Sequence, residues 1–70
     1  MTDREYLVQI GMNVRAARKR MHYSQAVLAD LLGMDHKTIQ RIEGAIKEPH
    51  ITTLKRIAEA LRTDLRHLLP

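Results

Sequence analysis

Apolar residues recur along this chain at spacings of three and four. Leu7, Ile10, Val14, Ala17 and Met21 form the first series, with gaps of 3, 4, 3 and 4. That spacing predicts one buried stripe on a helix of about five turns, with Asp3 as its N-cap. Arg15, Lys19 and Arg20 fall largely off the stripe, toward solvent. His22-Tyr23 breaks the pattern, and Ser24 caps a second helix with Leu28, Ala29 and Leu32 inward. Gly33 is its expected left-handed stop. Asp35 caps a third helix, which carries Ile39 and Ile42 inward and ends near Glu43 or Gly44. A loop from Ala45 to His50, with Pro49 near its end, leads into a fourth helix carrying Ile51, Leu54, Ile57, Ala58 and Leu61. Thr63 and Asp64 interrupt it. With Asp64 as cap, Leu65, Leu68 and Leu69 predict a short fifth helix. Strand-like alternation is absent and helix formers dominate. The expected fold is all-α: a compact five-helix bundle, one domain over residues 1–70.

A chain of 70 residues buries only about 60% of the surface of its unfolded form. It is too short for a barrel or a doubly wound sheet. There is no cysteine, so neither a disulfide framework nor a thiolate zinc site can form. The four histidines, at 22, 36, 50 and 67, show no i, i+4 spacing. No metal site, no cofactor and no enzymatic activity are expected. No apolar run reaches the length of a signal peptide core or a membrane span, so the expected location is the cytoplasm. Twelve Lys and Arg against eight Asp and Glu give a net charge of +4. A small basic domain often meets a polyanion. Eight of the twelve cations are Arg, whose planar fork suits phosphate and guanine edges.

The informative segment is Ser24 to Glu43. Two short helices, each with its own cap, are joined by Gly33-Met34-Asp35. So short a turn forces a steep crossing, the helix-turn-helix arrangement, here over about 24–44. The stretch Ser24-Gln25, Leu28-Ala29, Leu32-Gly33, Thr38-Ile39 and Ile42-Glu43-Gly44 resembles the phage repressor and Cro type of helix-turn-helix, the Xre family. Arg18 resembles the family's first-helix arginine. Pro49, Leu54 and Ile57-Ala58-Glu59-Ala60-Leu61 resemble its fourth helix. The chain departs from the family pattern in four places. His22 stands where a glycine usually separates helices one and two, and Arg62 where one usually ends helix four. Gly44-Ala45 has its glycine one position early, and His50 replaces a serine cap. His22 and Arg62 are therefore expected at positive φ.

The resemblance implies a third helix whose N-terminal part reads base edges. By position the base contacts are His36, Lys37, Thr38 and Arg41, with Arg41 the candidate for guanine O6 and N7. The resemblance also implies a phosphate contact by Gln25, at the start of helix two. Gln40, Lys47 and His50 are further candidates for the backbone. For each of these the plainer reading is a solvated polar face. Arg18 and Glu43 lie near apolar faces, and their family counterparts form a partly buried ion pair; the alternative is that Arg18 faces phosphate.

One small domain makes few base contacts, so specific binding calls for two on successive half-sites. A homodimer is expected. Leu65, Leu68 and Leu69, rimmed by Arg66 and His67, are the candidate interface, and the alternative is that all three leucines are core. Val27 and Leu31 project outward from helix two and offer a surface to another protein. The leading function is a sequence-specific regulator of transcription on double-stranded DNA, in the manner of small phage repressors or restriction-modification controller proteins. The alternative is a protein-interaction module, such as an antitoxin, with DNA binding secondary.

Overall fold

Helix α1 (Asp3–Arg20) begins at the residue expected to cap it. Thr2, not Asp3, is the N-cap. Its hydroxyl accepts from the Glu5 N–H at 3.1 Å, and the Glu5 carboxylate accepts from the Thr2 N–H at 3.0 Å. This reciprocal pair satisfies two amides that a helix start leaves free, and it leaves Asp3 in the first turn facing the positive end of the dipole. The main-chain bond from Thr2 holds the Glu5 carboxyl below its ordinary range. The computed structural model describes all residues, 1–70.

Three further α-helices follow: α2 (Gln25–Leu32), α3 (His36–Glu43) and α4 (Ile51–Ala60). Ser24 caps α2 through the Val27 N–H, and Asp35 caps α3 through the Lys37 N–H. His50 precedes α4 without giving it a side-chain cap. One core joins the four. Val14, Leu28, Ile39, Ile57 and Leu68 are fully enclosed in it, with Ile42 beside them. These are the inward positions of the helical spacing, and each helix contributes.

The fifth helix is not an α-helix. Leu65–His67 form a single 3-10 turn. Asp64 caps it through the Arg66 N–H, the Leu68 N–H closes it on the Leu65 carbonyl, and Pro70 has no N–H with which to continue. Four α-helices and one short turn therefore replace the five helices expected.

All four α-helices close alike. In each, the amide of the residue after the left-handed position returns to a carbonyl five residues back: Tyr23 to Arg18, Met34 to Ala29, Ile46 to Arg41 and Thr63 to Ala58. This is the Schellman closure. The left-handed residues are His22 (φ 59°), Gly33 (66°), Ala45 (58°) and Arg62 (54°). Only one is glycine. His22 and Arg62 take the positive φ expected of them; Ala45 was not anticipated.

Candidate nucleic-acid interface

Helices α2 and α3 are set by the three-residue turn Gly33–Asp35. Gly33 ends α2 in the left-handed region, and Asp35 already caps α3. No residue is left over, so the helices must turn sharply. Ile39 and Ile42 then bind α3 to the core by one face.

The opposite face of α3 is open. His36, Lys37, Gln40 and Arg41 are all exposed. Lys37 and Arg41 are one turn apart and share a row, as do His36 and Gln40. The outward surface therefore carries two parallel pairs of donors. Gln40, held by the sequence reading as a backbone contact, sits on this face as fully as His36 does. Thr38 is different. It is half-buried and lines a hollow of about 250 Å³ with Met34, Asp35, Ile42, Lys47, Pro49, His50 and Thr53. Lys47 and His50 thus lie together beside the start of α3, where the loop enters α4. Lys37, Arg41 and Lys47 make this side cationic, and the nearby Asp35 is occupied in capping.

Behind the open face, the end of α3 is anchored. Arg18 Nε donates to Glu43 Oε2 at 2.7 Å and Nη2 donates to Oε1 at 2.9 Å. Its Nη1 donates to the Tyr23 carbonyl at 2.8 Å. All three guanidinium nitrogens thus have partners inside the fold. The side chains of Arg18 and Glu43 are only 10% and 4% exposed. The hydrogen bonds to Glu43 raise the Arg18 pKa against the opposing effect of burial, so the guanidinium stays charged. Gln25 is half-buried, and its Nε2 donates to Glu43 Oε1 at 3.1 Å.

The candidate dimer surface needs correction. Leu68 is 0% exposed and belongs to the core of its own chain, so it has no surface to offer a partner. Leu65 and Leu69 pack against that core and are half-buried. Arg66 and His67 are exposed; Arg66 approaches Asp64 loosely at 3.8 Å, and His67 Nδ1 lies 3.1 Å from Thr63 Oγ1. Val27 and Leu31 remain on the surface, 42% and 56% exposed.

Several residues that hold the site escaped the sequence reading. Gly11 lets α1 approach the end of α3: a Cβ there would lie 2.6 Å from the Glu43 carbonyl oxygen and 2.7 Å from that of Ile42. Asn13 Nδ2 donates to the carbonyls of Leu68 and Leu69 at 3.2 and 3.4 Å, tying the C-terminal turn to α1. Arg4 donates to the Ala45 carbonyl, and Arg56 to that of Leu32 at 2.6 Å. A glycine and an asparagine inside an 18-residue helix were the available signals, since both are poor helix formers. The two arginines gave none.

No helix is long and apolar enough to cross a membrane. No curated protein sequence matches the chain. The model of the helix-turn-helix family matches residues 14–68. Among solved structures, the restriction-modification controller protein C.AhdI from Aeromonas hydrophila is similar, with 28% identity and a TM-score of 0.86 over 90% of this chain and 96% of that one. A transcriptional regulator of the same family from Vibrio cholerae has 28% identity and a TM-score of 0.88, over 96% of this chain and 38% of its own. Hydroxypropylphosphonic acid epoxidase from S. wedmorenis has 28% identity and a TM-score of 0.88, over 96% of this chain. The chain spans only 36% of that enzyme's length.

Proposed function

The chain belongs to the helix-turn-helix family, and from that membership we propose that it is a DNA-binding regulator of transcription. It acts as a homodimer that inserts α3 into the major groove of an operator. The observation that carries this reading is the outer face of α3, which bears Lys37 and Arg41 in one row and His36 and Gln40 in the next. A helix of this width fits the major groove, and these side chains offer donors to guanine O6 and N7 or to adenine N7. Arg41 reads the base edge; His36, Lys37 and Gln40, on the same face, contact neighbouring bases. Gln25, Lys47 and His50 meet the sugar-phosphate strands on either side, with Thr38 beside Lys47 and His50. Two copies meet through the exposed edges of Leu65 and Leu69, with Arg66 and His67 at the rim, and read half-sites about 34–36 Å apart. The similarity to a controller protein over nearly its whole length supports a regulator over an enzyme.

The test is selection of bound duplexes from a random pool, followed by affinity against salt. A dimer with 8–10 phosphate contacts should lose about 10³–10⁵ in affinity between about 50 and 200 mM salt. A flat salt dependence would sink the reading. A second reading, a protein-interaction module, draws on the exposed pair Val27 and Leu31. It gains if Val27→Ser with Leu31→Ser leaves DNA binding intact yet abolishes capture of a partner.

A further inference from the structure

Helices α2 and α3 are joined at one end only, by Gly33–Asp35. Their far ends are the first residue of α2, Gln25, and the last residue of α3, Glu43. These two side chains meet, with Gln25 Nε2 at 3.1 Å from Glu43 Oε1. Two rods joined at one end can still scissor. A contact between their free ends fixes the angle. Glu43 is itself immobilised, because Arg18 grips both of its oxygens. The same guanidinium holds the Tyr23 carbonyl, two residues before Gln25. A carboxylate can only accept, so the amide nitrogen of Gln25 must face it. One orientation of the Gln25 side chain is thereby selected.

We propose that Gln25 is a positioning residue: braced against Glu43, it sets the angle between α2 and α3 and so the approach of α3 to its bases. The proposal rests on the DNA-binding reading above and deepens it. The leverage follows from length. Eight residues of α3 span about 12 Å at about 1.5 Å per residue. A shift of about 1 Å between Gln25 and the held Glu43 therefore changes the angle between the two helices by about 5°, enough to misalign a bidentate contact at Arg41. A residue that only gripped phosphate would behave differently, because phosphate contacts carry no direct sequence information.

The variant is Gln25→Met, which keeps the length of the side chain and removes the donor. Binding is measured by fluorescence anisotropy on the preferred duplex, on each of its single-base variants and on an unrelated duplex. Amide hydrogen exchange is read on the free protein. Loss of the brace should cost about fivefold more affinity on the preferred duplex than on the unrelated one, within the range of coupling between touching groups. Base preference at the Arg41 position should flatten, and the amides of Gly44, Ala45 and Ile46 should exchange faster while those of Gly33 and Met34 do not change. An equal loss on every duplex overturns the proposal and leaves a phosphate grip; unchanged binding overturns it as well. If the parent binds no duplex, the functional reading fails by itself. The exchange arm then decides, since unaltered protection at Gly44–Ile46 overturns the brace and faster exchange upholds it.

Discussion

Arg62 is an arginine doing the work of a glycine. It sits at φ 54° in the closure of α4, it is exposed, and its side chain makes no hydrogen bond or ion pair. For a residue with a Cβ, the left-handed region costs about 1–2 kcal/mol. Arg62→Gly removes that cost and keeps both closing bonds, from the Arg62 amide to Glu59 and from the Thr63 amide to Ala58, which are main-chain. Against this, glycine gives the unfolded chain more freedom, worth about 0.4–1 kcal/mol. The net is a stabilisation of about 0–1.6 kcal/mol, centred on about 0.8, which is a rise in Tm of about 3–6 °C for a domain of this size. Gly33→Ala supplies the mirror experiment. Gly33 lies at φ 66° and a Cβ there would touch nothing within 4 Å. Its cost is therefore conformational alone, and Tm should fall by a similar amount. Thermal unfolding followed by circular dichroism, at one pH and salt, reads both. If Arg62→Gly lowers Tm, or Gly33→Ala leaves it unchanged, the reasoning from backbone strain is wrong.

Gly11→Ala should cost about 3 kcal/mol, the upper end of overpacking, because its Cβ meets two main-chain oxygens that can move only if α1 and α3 part; urea denaturation checks it. Leu68→Ala should cost about 2–5 kcal/mol as a buried cavity, and a midpoint unchanged from the parent would return Leu68 to the surface. Glu43→Gln should cost about 3 kcal/mol, since Arg18 keeps a buried charge without its counter-charge; an unchanged melting temperature would contradict the burial. The Glu5 carboxyl, depressed first by the main-chain bond from Thr2 and then by its hydroxyl, stabilises the fold above the ordinary carboxylate range. That contribution is lost as pH falls through the lowered folded value, so its NMR titration midpoint should lie below that of a disordered peptide.

The helices were legible because each carries its own signal. Ser24, Asp35 and Gly33 are local signals that act over two or three residues, and the apolar spacing acts over a few turns. The misreadings lie where distant parts of the chain decide. Asp3 is the local exception: the capping box of Thr2 with Glu5, three residues apart, outcompetes it. Leu65, Leu68 and Leu69 carry the right spacing for a helix. Yet Leu68 is drawn into a core built by α1–α4, and only one 3-10 turn fits between Asp64 and that burial. Ala45 stands where the family pattern carries its glycine, a mark of a left-handed residue of the same kind as at His22 and Arg62. It adopts that conformation because its buried side chain and the Arg4 bond to its carbonyl hold the loop against α1. The outward set on α3 was readable from periodicity, as the complement of Ile39 and Ile42. The bond from Gln25 to Glu43 was not, since it spans 18 positions.

The two ends of α3 are held by different means, and this bears on what the helix can do. At its start, Asp35 caps the main chain locally, and Thr38 faces the hollow shared with Lys47 and His50. At its end, Glu43 is gripped by Arg18 and Gln25, while Gly11 brings α1 against the Ile42 and Glu43 carbonyls. The start thus rests on short-range bonds near solvent; the end is locked to α1 through buried charge and close backbone packing. Breaking a buried ion pair costs several times more than losing one exposed hydrogen bond. Any adjustment of α3 to a ligand therefore pivots about Glu43 and is greatest at His36 and Lys37. Arg41, two residues from the anchor, is held more tightly. The backbone under Arg41 is thus fixed more firmly than that under His36 and Lys37; on the proposed DNA-binding reading, Arg41 would set register and the other two would adjust to it.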